Sequence, residues 1–194
     1  YKGEVSIKNY FYKNNHKLES YLLTIIMKKI AIISDTHSFL DTQIKDIIKK
    51  CDEIWHAGDF GYSPSISKII NQNNLRGVYG NIDGQEIRKK YPKILKFKCE
   101  QMKIMMTHIG GYPKKYFKHI EDEIQLYKPD IYICGHSHIL KIIYDEKYKL
   151  LHINPGAAGK EGFHQMRTMV LLNIELNKIS SLKVIELGKR AKII

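Results

Sequence analysis

Two histidines one residue apart close an apolar run: Ile131-Tyr132-Ile133-Cys134 leads into Gly135-His136-Ser137-His138. Taken alone, a His-x-His pair could be a polar turn. Four other places in the 194-residue chain carry similar residues after similar runs. They are Asp35-Thr36-His37 after "KIAIIS", Gly58-Asp59 after "EIWHA", Gly80-Asn81 after "LRGVY", and His108 after "KIMMT". Imidazole mixed with carboxylate suits Mn, Fe, Zn or Ni rather than an all-oxygen calcium site. Seven groups, Asp35, His37, Asp59, Asn81, His108, His136 and His138, exceed what one ion needs. They would serve two ions about 3.5–4 Å apart. Two divalent transition-metal ions are therefore the expected cofactors, with Mn first and Ni, Zn or Fe as alternatives.

Such a set works only if the chain brings it to one place. "KIAIIS" is a short Ile-rich run and reads as a buried strand. "DTQIKDIIKKC" spaces Ile44, Ile47 and Ile48 as one face of a helix. "EIWHAG" reads as a second strand. "SPSISKIINQNN" opens on Ser63-Pro64, a good helix start, and carries Ile66, Ile69 and Ile70 on one face. "LRGVYG" reads as a third strand. This alternation predicts a parallel sheet with right-handed crossovers. Ligands bind outside the carboxyl ends of such strands, so the five strand ends should share one edge. Glycines before Asp59, Asn81 and His136 allow sharp turns and a close approach to ions.

In the second half, "KILKFKC" and "QMKIMMTH" read as paired strands, "KKYFKHIEDEIQLYK" as a helix, and "PDIYICG" as another buried strand. Two hairpins follow, turning near Asp145-Glu146 and near Asn177-Lys178. Two sheets covered by helices is the natural packing. With no repeat and no Pro/Gly/Ser linker, residues 27–194 read as one domain. Residues 1–26 read as an extension that the domain does not need, because "MKKIAIISDTH" from Met27 leads straight into the first core strand.

Composition narrows the class. At 43% hydrophobic residues the chain can bury its own core. No apolar run approaches the roughly 20 residues of a membrane span. "YLLTIIM" at 21–27 lacks the cleavage pattern of a secretory signal. Cys51, Cys99 and Cys134 are widely spaced and odd in number, which predicts reduced thiols and a cytoplasmic location. The net charge is +12, which would attract phosphate-bearing partners. Only Arg76, Arg88, Arg167 and Arg190 are arginines among 32 basic residues. The lysines are scattered, and with Ile, Asn and Tyr they reflect AT-rich codons, so most read as solvated faces. Nucleic acid is thus kept as an alternative partner, not the expected one, and a homo-oligomer is left open.

"DTH", "GD", "GN", "TH" and "GHSH", in this order, resemble the signature of calcineurin-like metallophosphoesterases. With "GNID" after strand three and "NPGA" at 154–157, the chain is most similar to the small bacterial and archaeal phosphodiesterase branch. The likeness spans roughly Met27 to Leu187. It implies an α/β fold: a four-layer α/β/β/α sandwich of two mixed sheets flanked by helices. It further implies that Asp35, His37 and His138 hold one ion, that Asn81, His108 and His136 hold a second, and that Asp59 bridges them. The implied activity is hydrolysis of a small phosphate ester, a diester above all. A metal-bridging hydroxide attacks, and Asn81 and the ions take up the phosphoryl charge. Asp59 and Asn81 are accordingly the catalytic candidates. A non-catalytic scaffold like the small retromer subunit, and a nuclease, are the rival readings. One departure matters. Larger relatives carry histidine after Gly-Asn, near the leaving group, where this chain has Ile82, which neither donates nor accepts a proton.

The remaining polar residues have blander readings. His56 reads as packed behind the site, Trp55 as core, Asp41 as a helix cap, and His16 and His119 as surface. Asp83 reads as hydrogen-bonding the turn after strand three. Asn154 could orient a ligand histidine or simply serve a turn. His152 and His164 have no assigned role.

Overall fold

The structure, a computed structural model, describes residues 27–72 and 74–190. The extension 1–26, with its His16, lies outside the described residues. Strand β1 (Met27–Ile33) alternates its side chains: Ile30 and Ile32 face a second sheet, while Ala31 and Ile33 face helices. Its neighbours are β2 (Glu53–His56) and β3 (Leu75–Gly77), in parallel, and β11 (Met166–Glu175) with β12 (Lys178–Lys189), antiparallel. The order is β12-β11-β1-β2-β3.

The second sheet, ordered β4-β5-β8-β10-β9, is also mixed. It contains β4 (Ile94–Cys99), β5 (Met102–Thr107), β8 (Ile131–Ile133), β9 (Leu140–Asp145) and β10 (Leu150–Pro155). Ile104, Met106, Ile131, Ile133 and Ile153 meet Ile30, Ile32, Trp55 and Val78 between the sheets. Helices α1 (Thr42–Ile48) and α2 (Pro64–Ile70) cover the outer face of the first sheet through Ile44, Ile48, Ile66 and Ile69. Beyond the second sheet, Ile120 and Ile124 of a further helix, Lys118–Tyr127, pack on Met105 and Tyr132. The result is a four-layer α/β/β/α sandwich.

Local chemistry sets the helix starts. Asp41 accepts from the Ile44 N–H at 2.9 Å and caps α1, and Ser63 caps α2 by accepting from Ile66 at 3.2 Å. Boundaries differ from the periodicity in three places. The third strand ends at Gly77, so Gly80-Asn81 sits on a loop three residues beyond it. A one-turn-and-a-half helix, α3 (Gln85–Lys90), goes unread in the sequence because Ile87 is its sole apolar residue. The helix expected from Lys114 begins at Lys118, as α4. Residues Lys115–Tyr116 (β7) instead pair with Gly111–Tyr112 (β6) around Pro113.

Candidate metal centre

The loops leaving β1, β2, β5 and β8 are laced together. Asp35 and His37 donate their backbone N–H groups to the carbonyls of Gly58 and Asp59, at 3.0 and 3.1 Å. Gly135 donates to the His108 carbonyl at 3.0 Å. The close approach depends on glycine. Gly58 has φ +92°, and a Cβ there would lie 2.6 Å from the His108 ring. At Gly80 a Cβ would sit 2.0 Å from Asp59 Oδ1.

All seven candidate ligands meet where these loops converge. Asp35 Oδ1 lies 3.2 Å from His138 Nε2, 3.9 Å from His108 Nε2 and 4.0 Å from His37 Nε2. Asp59 Oδ2 lies 3.2 Å from His108 Nε2 and 3.7 Å from His37 Nε2. His37 Nε2 and His138 Nε2 face each other at 3.3 Å. Asn81 Oδ1 reaches His108 Nε2 at 3.1 Å and His136 Nδ1 at 2.9 Å. Two sets among these, Asp35–His37–His138 and Asp35–Asp59–His108, have ligand atoms within 4.8 Å of one another.

The backbone is strained to achieve this. Asp35, His37, Asp59, His136 and His138 all have φ between 43° and 68°, a region that side-chain-bearing residues avoid. Each such residue costs on the order of 1–3 kcal/mol, and such strain clusters at functional sites. The conformations are held by hydrogen bonds. The Asp83 carboxylate accepts from the N–H groups of Gly80, Asp59 and Gly61 at 2.7, 3.0 and 3.1 Å, which is the turn-bonding role read for it. Arg88, missed in the sequence, donates Nε to the Asp83 carbonyl at 2.6 Å and Nη2 to those of Gly80 and Asn81 at 3.2 and 3.1 Å. Its place in the unread helix α3 hid it.

Asn154 bonds no histidine ring. Its Nδ2 donates to the Gly135 carbonyl at 2.9 Å and to Ser137 Oγ at 3.1 Å, on either side of His136. It therefore sets the loop that presents the histidines. His56 is fully buried, stacked on Phe60 at 3.6 Å, and accepts from the Gly58 N–H at Nδ1. Its Nε2–H then faces Thr36 Oγ1 at 2.9 Å. Burial pushes its pKa down to about 3, so it stays neutral.

Charge in the centre is balanced between groups. Burial pushes Asp59 up, but the neighbouring His108, the Ile82 N–H and His37 together hold it below its usual value. Burial pushes His108 down, yet Asp59, Asp35 and the Ala57 carbonyl outweigh that and raise it. For His136, burial and the charge of His108 prevail and lower it.

The donor set fits divalent cations. Asp35 Oδ1 is buried without a hydrogen-bond partner, yet three imidazole nitrogens from three different loops surround it. A buried carboxylate oxygen in that state needs a cation or a proton to offset its desolvation.

Comparison with known proteins agrees. The calcineurin-like phosphoesterase superfamily domain matches residues 27–177. This chain belongs to that superfamily. It is 31% identical over 139 residues to the probable metallophosphoesterase MG207 of Mycoplasma genitalium, covering 68% of this chain and 77% of the relative. An archaeal phosphodiesterase of known structure shares the fold with TM-score 0.60 and 23% identity, over 82% of this chain and 99% of the other. So does Vps29 of Entamoeba histolytica complexed with zinc, at TM-score 0.63 and 16% identity, over 84% and 99%. Among the described residues no helix is long and apolar enough to cross a membrane.

Proposed function

We propose that this protein is a dinuclear metal-dependent phosphodiesterase acting on a small phosphate ester. In this reading Asp35, His37 and His138 hold one ion, Asn81, His108 and His136 hold a second, and Asp59 is shared. The observation that carries it is the buried, unpartnered Asp35 Oδ1 ringed by His37, His108 and His138. When bound, the two cations supply Lewis acidity at phosphorus and lower the pKa of water toward neutrality. Mn is our first choice to test, and the mixed nitrogen and oxygen donors equally suit Ni, Zn or Fe.

The chain's own residues prepare the rest. His108 donates Nδ1–H to the Ala57 carbonyl at 2.7 Å, which would leave its Nε2 lone pair for a cation held beside Asp59. Asn81 turns Oδ1 toward His108 and His136, leaving its Nδ2 to donate to a phosphoryl oxygen. The Ile82 N–H holds Asp59 Oδ1 at 3.1 Å, so that Oδ2 faces the histidines. Free, buried Cys51, Cys99 and Cys134 support a reducing compartment, and we place the protein in the cytoplasm.

The test is turnover of bis(4-nitrophenyl) phosphate and of 4-nitrophenyl phosphate with Mn, Ni, Zn and Mg in turn. The diester should be favoured by about tenfold or more in kcat/KM. Cleavage of single- or double-stranded nucleic acid would point instead to a nuclease. No hydrolysis with any of the four metals would leave a scaffold.

A further inference from the structure

Two grooves leave the candidate centre, and their linings differ in kind. One, about 230 Å³, is lined by Tyr79, Asn81, Arg88, Lys93, His108 and Ile109. The other, about 290 Å³, is lined by Ile109, Tyr112, Phe117, His136, Ile139 and Lys141 among others. Ile109 lines both. The grooves join at the centre itself, because Asn81 Oδ1 in the first reaches His136 Nδ1 in the second at 2.9 Å.

The first groove is cationic. Arg88 gives its hydrogen bonds to three backbone carbonyls, and its guanidinium lies 4.5 Å from the Tyr79 ring centroid. Those partners fix its position without neutralising it. Among the described residues no carboxylate lies within 4.0 Å of Arg88 or Lys93. Two cations without an ion-pair partner at that distance, one of them over an aromatic ring, suit an anionic group. The second groove is mostly apolar. Tyr112, Phe117 and Ile139 are 42%, 50% and 62% exposed there, and Lys141 Nζ lies over the Tyr112 ring at 4.3 Å. Its inner wall, Gly135-His136-Ser137, is the candidate metal loop. An apolar face that begins at the reacting centre suits part of the substrate.

We infer that the substrate is a phosphodiester with two unlike arms. One arm carries a second anionic group toward Lys93 and Arg88. The other is apolar or aromatic and lies against Tyr112, Phe117 and Ile139. The inference rests on the phosphodiesterase reading above. In the reaction, oxygen from water bonds to phosphorus, one ester P–O bond breaks, and that arm leaves as an alcohol with a proton from water. A monoester would fill one groove and leave the other empty.

The test uses the full chain loaded with Mn and diesters that share one leaving group, 4-nitrophenol, so that only the other arm varies. Replacing the methyl arm of methyl 4-nitrophenyl phosphate by phenyl should raise kcat/KM by about fivefold or more. Ile139→Ser should reduce that gain to less than about twofold. Adding a 3′-phosphate to thymidine 5′-(4-nitrophenyl phosphate) should likewise raise kcat/KM by about fivefold or more, and less at high salt. Lys93→Gln should reduce this second gain to less than about twofold. Lys93 and Ile139 are both exposed, so the variants keep the fold. Equal kcat/KM across diesters that are all turned over would overturn the two-arm inference and spare the phosphodiesterase. No turnover of any ester would overturn both.

Discussion

Asp35 Oδ1 lies 3.2 Å from His138 Nε2, on a fully buried carboxylate, and no hydrogen bond reaches it. In the metal-free protein this oxygen is a liability, because a buried unpaired acceptor costs about 1–3 kcal/mol, and more when charged. Asp35→Asn should therefore leave the metal-free melting temperature unchanged or raise it. The same substitution should abolish the rise in melting temperature that Mn gives the parent. Thermal unfolding with and without Mn checks both halves. Equal Mn stabilisation of the variant and the parent would remove Asp35 from the centre.

The candidate ligands all fall between residues 35 and 138, and the first core strand starts at Met27. A chain beginning at Met27 should fold, keep its turnover, and lose less than about 1 kcal/mol of stability. Chemical denaturation and a diester assay decide it. Loss of either property would make residues 1–26 part of the domain.

Ile82 is 48% exposed and helps the centre only through its backbone N–H, which donates to Asp59 Oδ1 at 3.1 Å. Its side chain supplies no proton to a departing alkoxide. Positioned acid catalysis is worth about 10²–10⁴-fold, so its lack should show as a strong dependence of rate on leaving-group pKa. Aryl diesters should turn over well and simple alkyl diesters slowly. Asp83 does not fill the gap, because its carboxylate is engaged by the N–H groups of Gly80, Asp59 and Gly61. Ile82→His should flatten the dependence while keeping the backbone contact. A parent whose rates are already flat, with chemistry rate-limiting, would mean that another residue acts as the acid.

Much of this was legible in the sequence, for physical reasons. The strands announce themselves because they are buried on both faces, as in "KIAIIS" and "IYIC". Every candidate ligand but Asn81 follows such a run, so the parallel-sheet rule brought Asp35, His37, Asp59, His108, His136 and His138 to one edge. What stayed hidden depends on tertiary contacts. The strain at five of the ligand residues is a property of φ, which residue type does not reveal. Arg88 acts through carbonyls of a loop that only folding brings near, and the two grooves are made by residues distant in sequence, Tyr79 with Lys93 and Tyr112 with Ile139.

The buried imidazoles set the acid response of the metal-free protein. Burial lowers His56 to about 3 and His152 to about 4. Their folded pKa values lie below the ordinary 6.5, so each contributes stability that is full above about pH 6.5 and falls as pH drops toward its folded value. Each slope is up to about 1.4 kcal/mol per pH unit. His108, raised by its carboxylate neighbours, acts in the opposite sense, its contribution being full below about pH 6.5 and lost at higher pH. Below about pH 6.5 the His108 contribution is already full, and His136 and His164 are lowered in the same sense as His56 and His152, so denaturant stability should fall between about pH 6.5 and 4.5, before the lowered carboxylates Asp41, Glu53 and Asp59 titrate. His56→Gln should give a shallower fall over that window. Stability that is flat or rises on acidification across it would show that His56 and His152 are not held neutral.

Metal stoichiometry tests the dinuclear centre most directly. Protein reconstituted with Mn, freed of excess metal without chelators, should carry close to two equivalents per chain by elemental analysis. Asp59→Asn, which weakens the shared oxygen facing both His37 and His108, should carry one or fewer. A parent value near two with that drop is the expected result. A parent value of one or none, under conditions where the protein is folded, would contradict a two-ion phosphodiesterase.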